Sequence, residues 1–184
     1  LAKWVIERPP TEAEPTRDAG RLVDRDWQWC RDTIASLIEE VGKARDAAGS
    51  ARFDLSYRSE LWAVARALPS CPATEYVVRD ESEDPREVDW PLVLLNSTRG
   101  KAMRAVLAYA DWVASNLAPG DRSRTSIPGG LDSMPEVREV LESELARPDA
   151  DSAGRAAFGW RLGLLFLIDS SSVKASAVSI LDLR

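Results

Sequence analysis

The sequence predicts an all-α fold, either an irregular helical bundle or a short α-solenoid, with room for one small β-hairpin near 75–95. Three observations predict it. Apolar residues recur at steps of three and four along six separate stretches, the spacing that gathers them on one side of a 3.6-residue helix. Hydroxyl, acidic, glycine and proline residues punctuate the ends of those stretches as helix caps and stops. Sustained two-residue alternation, and the βαβ succession that builds a parallel sheet, are both missing.

Taken in order, residues 1–20 read as an irregular lead-in, because ERPPTEAEPTRDAG combines three prolines with acids and threonines. A single helical domain is expected over 21–184. From Arg21, the positions Val23, Trp27, Cys30, Ile34, Leu37, Val41 and Ala44 predict a helix buried on that stripe. Its other face would carry Arg31, Asp32, Glu39, Glu40 and Lys43 to solvent, and it would end near Ala48-Gly49-Ser50. A second helix fits Tyr57 to Leu68, with Leu61, Trp62, Ala65 and Leu68 on one side and Pro69 and Pro72 as its stop. The β-prone Glu75-Tyr76-Val77-Val78 follows, then an acidic loop over 79–89.

Ser97 or Thr98 can cap a helix running to about Leu117, with Met103, Val106, Ala110 and Val113 inward. Gly100 falls in its first turn, where a missing side chain lets a neighbouring backbone come close. Arg99, Lys101 and Arg104 form a basic strip expected to point outward. PGDRSRTSIPGG at 119–130 is loop-like throughout. Ser133-Met134-Pro135-Glu136 has the pattern of a capping box and opens a helix to about Ala146, burying Val137, Val140, Leu141 and Leu145. Ala153 to Ile168 becomes apolar on nearly all sides, as a central helix would be. Asp169-Ser170-Ser171-Ser172 then caps a last helix carrying Val173, Ala177, Ile180 and Leu181.

Bulk properties narrow the functional classes. A chain of 184 residues hides roughly 70% of its unfolded surface on folding, enough for one good core. With 45% apolar and 29% charged residues it falls in the soluble globular class. Its longest apolar run, Leu162 to Ile168 broken by Gly163, is far short of the ~20 residues that span a bilayer, so no membrane partner is expected. Net charge is −6, and Glu75 to Asp89 carries most of it, with seven acids against two arginines. That leaves no net basic face for displacing counterions from phosphates, which makes nucleic acid a poor partner. Two cysteines, Cys30 and Cys71, make no disulfide framework, and a reduced, cytoplasmic setting is expected. The first residues, LAKWVIERPP, and the last, VSILDLR, read as the ends of a piece of a larger protein.

Chemical motifs are scarce. The Gly100-Lys101 pair is not a phosphate loop, since G-x-x-x-x-G-K-[ST] finds Leu95 in place of its first glycine and Ala102 in place of its hydroxyl. Without a single histidine, Ser-His-Asp, Cys-His and His-metal sites are excluded. Read as a calcium loop from Asp80, the acidic run puts Pro85 where glycine is needed and Pro91 where glutamate is needed. No catalytic residue, cofactor site or metal site is therefore assigned. Seven of thirteen aromatics are tryptophan. Trp27, Trp62 and Trp160 fall on buried stripes, whereas Trp29 and Trp112 fall off them and become candidates for a partner surface. Arg99, Lys101 and Arg104 are the other candidates, a strip able to grip a phosphate or an acidic partner beside a helix N-terminus.

At NSTRGKAMRAVLAYADWV and again at PEVREVLESELA and SAGRAAFGWRLGLLFLID, the chain resembles HEAT-like helical-repeat regions of large multidomain bacterial proteins, including NTPases of the anti-phage defence kind. The resemblance covers 91–184. It implies a scaffold or sensor surface, with protein partners or other domains of the same polypeptide, and with catalysis located elsewhere in that polypeptide. A small-molecule-binding or histidine-independent catalytic helical domain is the alternative.

Overall fold

The computed structural model describes residues 28–44, 51–69, 91, 94–95, 97–118, 127–146 and 152–181. Among them 83% are helical, in seven α-helices, and none forms a strand. The helices are α1 (Gln28–Lys43), α2 (Arg58–Ala65), α3 (Thr98–Leu117), α4 (Pro135–Leu145), α5 (Ser152–Trp160), α6 (Leu162–Ile168) and α7 (Ser170–Leu181). Short 3₁₀ turns at Leu55–Tyr57 and Gly130–Ser133 lead into α2 and α4. The lead-in at 1–20, the acidic loop at 79–89 and Cys71 lie outside the described residues. So does most of the hairpin region, of which Pro91, Leu94 and Leu95 are helical rather than extended.

Helix α3 is the centre of the molecule. Between Thr98 and Ala114 every residue is buried except Lys101, Arg104 and Asp111. Two features of its sequence allow that. Alanines at 102, 105, 108, 110 and 114 let neighbouring helices approach on several sides, while Met103, Val106, Leu107, Tyr109, Trp112 and Val113 fill the gaps between them. Its start matches the expected capping: the Ser97 hydroxyl accepts the Gly100 amide at 2.8 Å. Gly100 is also required sterically, because a Cβ there would collide with the Leu94 carbonyl oxygen. The expectation that 153–168 would be the central helix is corrected. That segment bends at Arg161 into α5 and α6, which turns Trp160, Phe166 and Leu167 to solvent.

Register pairs give the directions. Asp32 with Lys101, Glu39 with Arg104, and Gly42 with Ala108 advance together, so α1 runs parallel to α3. Gly42 lets the backbones touch, since a Cβ there would lie 2.5 Å from the Ala108 oxygen. Trp62 of α2 meets Tyr109, and the Phe53 carbonyl, just ahead of α2, accepts from Trp112. Glu136 meets Tyr109 while Glu144 meets Arg99, so α4 is antiparallel to α3.

Two expected faces are shifted. In α1 the inward residues are Arg31, Ala35, Ile38, Glu39 and Gly42, whereas Leu37 is 63% exposed. The apolar stripe through Cys30, Ile34, Leu37 and Val41 thus sits to one side of the contact. Close approach at Gly42 and ionic partners on α3 decide the rotation. In α4 the capping box does not form. Ser133 instead donates to the Gly130 carbonyl at 2.7 Å, and Glu136 turns toward Arg58 and Tyr109.

Asp169 is the expected cap of α7 and also ties that helix to the turn before α4. Its carboxylate accepts the Ser172 amide at 2.9 Å and hydroxyl at 2.8 Å. The Leu131 amide approaches at 3.4 Å, and Gly130, at φ 51°, leaves room for the carboxylate. The Ser172 amide, with the hydroxyl and the Leu131 amide behind it, holds this carboxyl below its ordinary value against partial desolvation. The folded state therefore favours the ionised form. Its stabilisation is complete above the ordinary carboxyl value of 3.8 and is lost as pH falls through the lower folded value. Asp169→Ala is expected to melt below the parent at neutral pH, with the gap closing in acid, as a pH series of thermal melts would read.

Candidate functional site

The basic strip at the start of α3 is not a surface strip. Its three members point in two directions, as 3.6-residue geometry requires of positions 99, 101 and 104. Arg99 turns toward α4 and is 7% exposed. Its guanidinium pairs in two-pronged fashion with Glu144, itself 3% exposed; Nε donates to Oε1 at 2.8 Å and Nη2 to Oε2. Gly154 of α5 makes room for this carboxylate, since a Cβ there would strike it. Lys101 and Arg104 turn toward α1. Lys101 reaches Asp32 at 2.5 Å, and Arg104 reaches Glu39 at 2.6 Å, with Lys43 a further 3.6 Å from the same glutamate.

The reason sequence reading placed these charges in solvent is plain. Each partner lies 45 to 69 residues away, beyond any local spacing rule. Arg31 and Glu39, also expected in solvent, are 1% and 4% exposed in the same interface. A pocket for phosphate at the α3 N-terminus is not open either. The Ser97 side chain and the Leu94 carbonyl already occupy the first turn.

Because the strip is internal, its removal acts on stability. Arg104→Ala removes the 2.6 Å partner of buried Glu39, with Lys43 at 3.6 Å, and it is expected to cost about 2 kcal/mol by urea denaturation. Lys101→Ala, at a better-solvated pair, is expected to cost less.

A second polar cluster was not legible in the sequence. Arg58 donates to Glu136 through Nε at 2.9 Å and Nη2 at 2.6 Å, and to the Ser133 carbonyl at 2.8 Å. The Tyr109 hydroxyl donates to the same glutamate at 2.9 Å. Burial, reinforced by the neighbouring carboxylate, pushes the Tyr109 phenol far above its ordinary range. It is thereby fixed as a proton-bearing donor, the opposite of an activated base. The three residues close the joint between α2, α3 and α4.

Of the two tryptophans assigned to a partner surface, only one is on the surface. Trp29 is 70% exposed near the start of α1. Trp112 is 1% exposed, its ring tilted at 48° with its centroid 5.7 Å from that of Tyr109, and its indole N–H donates to the Phe53 carbonyl at 2.8 Å. Residues beside the expected stripe of α3 are buried because the helix is surrounded. The converse error is Trp160, expected inside and 59% exposed.

No family model matches the chain, and neither a curated protein nor a solved structure does. The likeness to HEAT-like regions thus rests on the quoted segments alone. Among the described residues, no group of three or more Cys, Asp or Glu could hold a metal, and no helix is long and apolar enough to cross a membrane.

Proposed function

We propose that the chain is a non-catalytic helical interaction domain, a scaffold or sensor working against a protein partner or other domains of the same polypeptide. One observation carries this reading. Helix α1 turns charged Arg31 and Glu39 inward, with Asp32 paired to Lys101, while Trp29 and Leu37, at 70% and 63% exposure, face out. Leaving an indole in water forfeits much of the gain that burial of so large an apolar group provides, which is the usual mark of a contact surface. The placement of α3, with neighbours on several sides, supports an irregular bundle over a short HEAT-like solenoid, where each unit meets only the next. A larger bacterial parent of the anti-phage defence type, and a cytoplasmic setting, are the proposals that the sequence resemblance and the sparse cysteines suggest.

The test is a photo-reactive amino acid at position 29 in the full polypeptide as it occurs in cells, with exposed Glu40 as the control position. A defined cross-link from 29 and none from 40 supports the reading. Adducts at both positions, or at neither, argue against it. The alternative of a small-molecule site has one feature in its favour, an apolar cavity lined by Leu131, Leu141, Phe158, Leu165 and Val173, with Arg138 also in its wall. Its volume of about 60 Å³ is well below the several hundred Å³ of an ordinary cofactor pocket, and Arg138 is already paired with Asp132 at 2.9 Å.

A further inference from the structure

We infer that the cavity between α4, α5, α6 and α7 binds a free branched aliphatic α-amino acid, with its side chain inside, its carboxylate on Arg138 and its ammonium on Glu142. The site is separate from the contact surface on α1, none of whose residues lines it. Leu141, Phe158, Leu165 and Val173 make most of the wall apolar, and the volume is about 60 Å³. A water-sized group occupies roughly 10–15 Å³ of such space, so the cavity takes about four of them. That is the size of an isobutyl or isopropyl group. A benzene ring needs a cavity nearer ~150 Å³, so aromatic side chains are too large. The four apolar residues are buried, whereas Arg138 is half-buried and Glu142 exposed, so the charged part of the wall is the part that water reaches.

What selects the ligand is the pair of charges that α4 brings to this wall. Arg138 and Glu142 both line the cavity, one helical turn apart. Basic before acidic is the weaker order for pairing within a helix, and Arg138 pairs instead with Asp132 at 2.9 Å and approaches Asp169 at 3.7 Å. The Asp132 side chain is 79% exposed, so that pair is weakly held. A guanidinium carries five N–H donors, which leaves room for a second carboxylate in two-pronged fashion. Asp169 is the nearby anion that opposes this, but the Ser172 amide and hydroxyl already donate to its oxygens and temper the repulsion. Glu142 then faces the ammonium. One positive and one negative group beside a small apolar cavity match the carboxylate, ammonium and branched alkyl group that a single ligand class combines. An alkyl acid or an alkyl amine satisfies only one of the two charges.

Titration of the chain with L-leucine, followed by NMR at the methyl groups of Leu141, Leu165 and Val173, tests this directly. A saturable shift at these methyls with a Kd of about 0.1–1 mM is expected. L-Alanine, which leaves the cavity empty, and L-phenylalanine, which overfills it, are each expected to bind at least about tenfold more weakly. Isocaproate lacks the ammonium and isoamylamine lacks the carboxylate, so the wild type is expected to prefer leucine to both. Glu142→Gln is expected to erase the preference over isocaproate, and Arg138→Gln the preference over isoamylamine, while thermal melts show that both variants fold. No saturable shift at tens of millimolar leucine overturns the proposal. Alanine binding as well as leucine overturns it, since the cavity then plays no part. Preferences that survive in both variants overturn the assignment of the two charges. N-acetyl-leucinamide binding as tightly as leucine assigns the cavity to a leucine side chain of a protein partner and overturns the free amino acid.

Discussion

Glu144→Ala is expected to destabilise the fold by about 3–5 kcal/mol, the cost of stranding a buried guanidinium without its counter-charge. Arg99 and Glu144 are 7% and 3% exposed, and the carboxylate is walled by Gly154, so little water can reach the orphaned charge. Replacing both partners, as in Arg99→Met with Glu144→Leu, is expected to cost much less than the single change. A buried pair earns its keep mainly by mutual neutralisation, and an apolar pair of similar volume removes both desolvation penalties together. Urea denaturation of the two variants checks the ordering. A single variant no less stable than the double would mean that the pair is solvated and that α4 does not pack on α3 as described.

Trp112→Ala is expected to cost about 3–5 kcal/mol, combining lost transfer energy with the cavity left in the centre of the molecule. At this chain length that corresponds to roughly ten degrees in melting temperature. The indole also loses its hydrogen bond to the Phe53 carbonyl, which the Asn116 amide at 3.2 Å replaces only in part. Trp112→Phe keeps most of the volume and is expected to be milder. This prediction separates two roles for one residue. A contact tryptophan could be truncated without change in melting temperature, whereas a central anchor could not.

The helical class was legible because it depends on local periodicity, and the caps at Ser97 and Asp169 were legible because they depend on three or four neighbouring residues. Gly100 was readable for the same reason. What failed was everything that depends on where helices sit relative to one another. The stripe of α1 named Leu37 as buried, yet the contact is centred on Arg31, Ala35 and Gly42, where the α3 backbone comes close and supplies Lys101 and Arg104. Arg99 looked solvated because Glu144 is not its neighbour in sequence. Trp112 looked peripheral because a one-sided helix was assumed, while α3 is enclosed. Trp160 looked internal because its segment was read as straight, and the bend at Arg161 turns it out. The Arg58–Glu136–Tyr109 joint carried no sequence signal, since the three positions belong to separate helices and share no spacing.

Native-state hydrogen exchange of the chain tests the central placement of α3 most directly. With its residues from Ala102 to Val113 packed against α1, α2 and α5, the amides of that stretch are expected to exchange last, opening only with global unfolding. Amides of α5 and α6 outlasting those of α3 would contradict it.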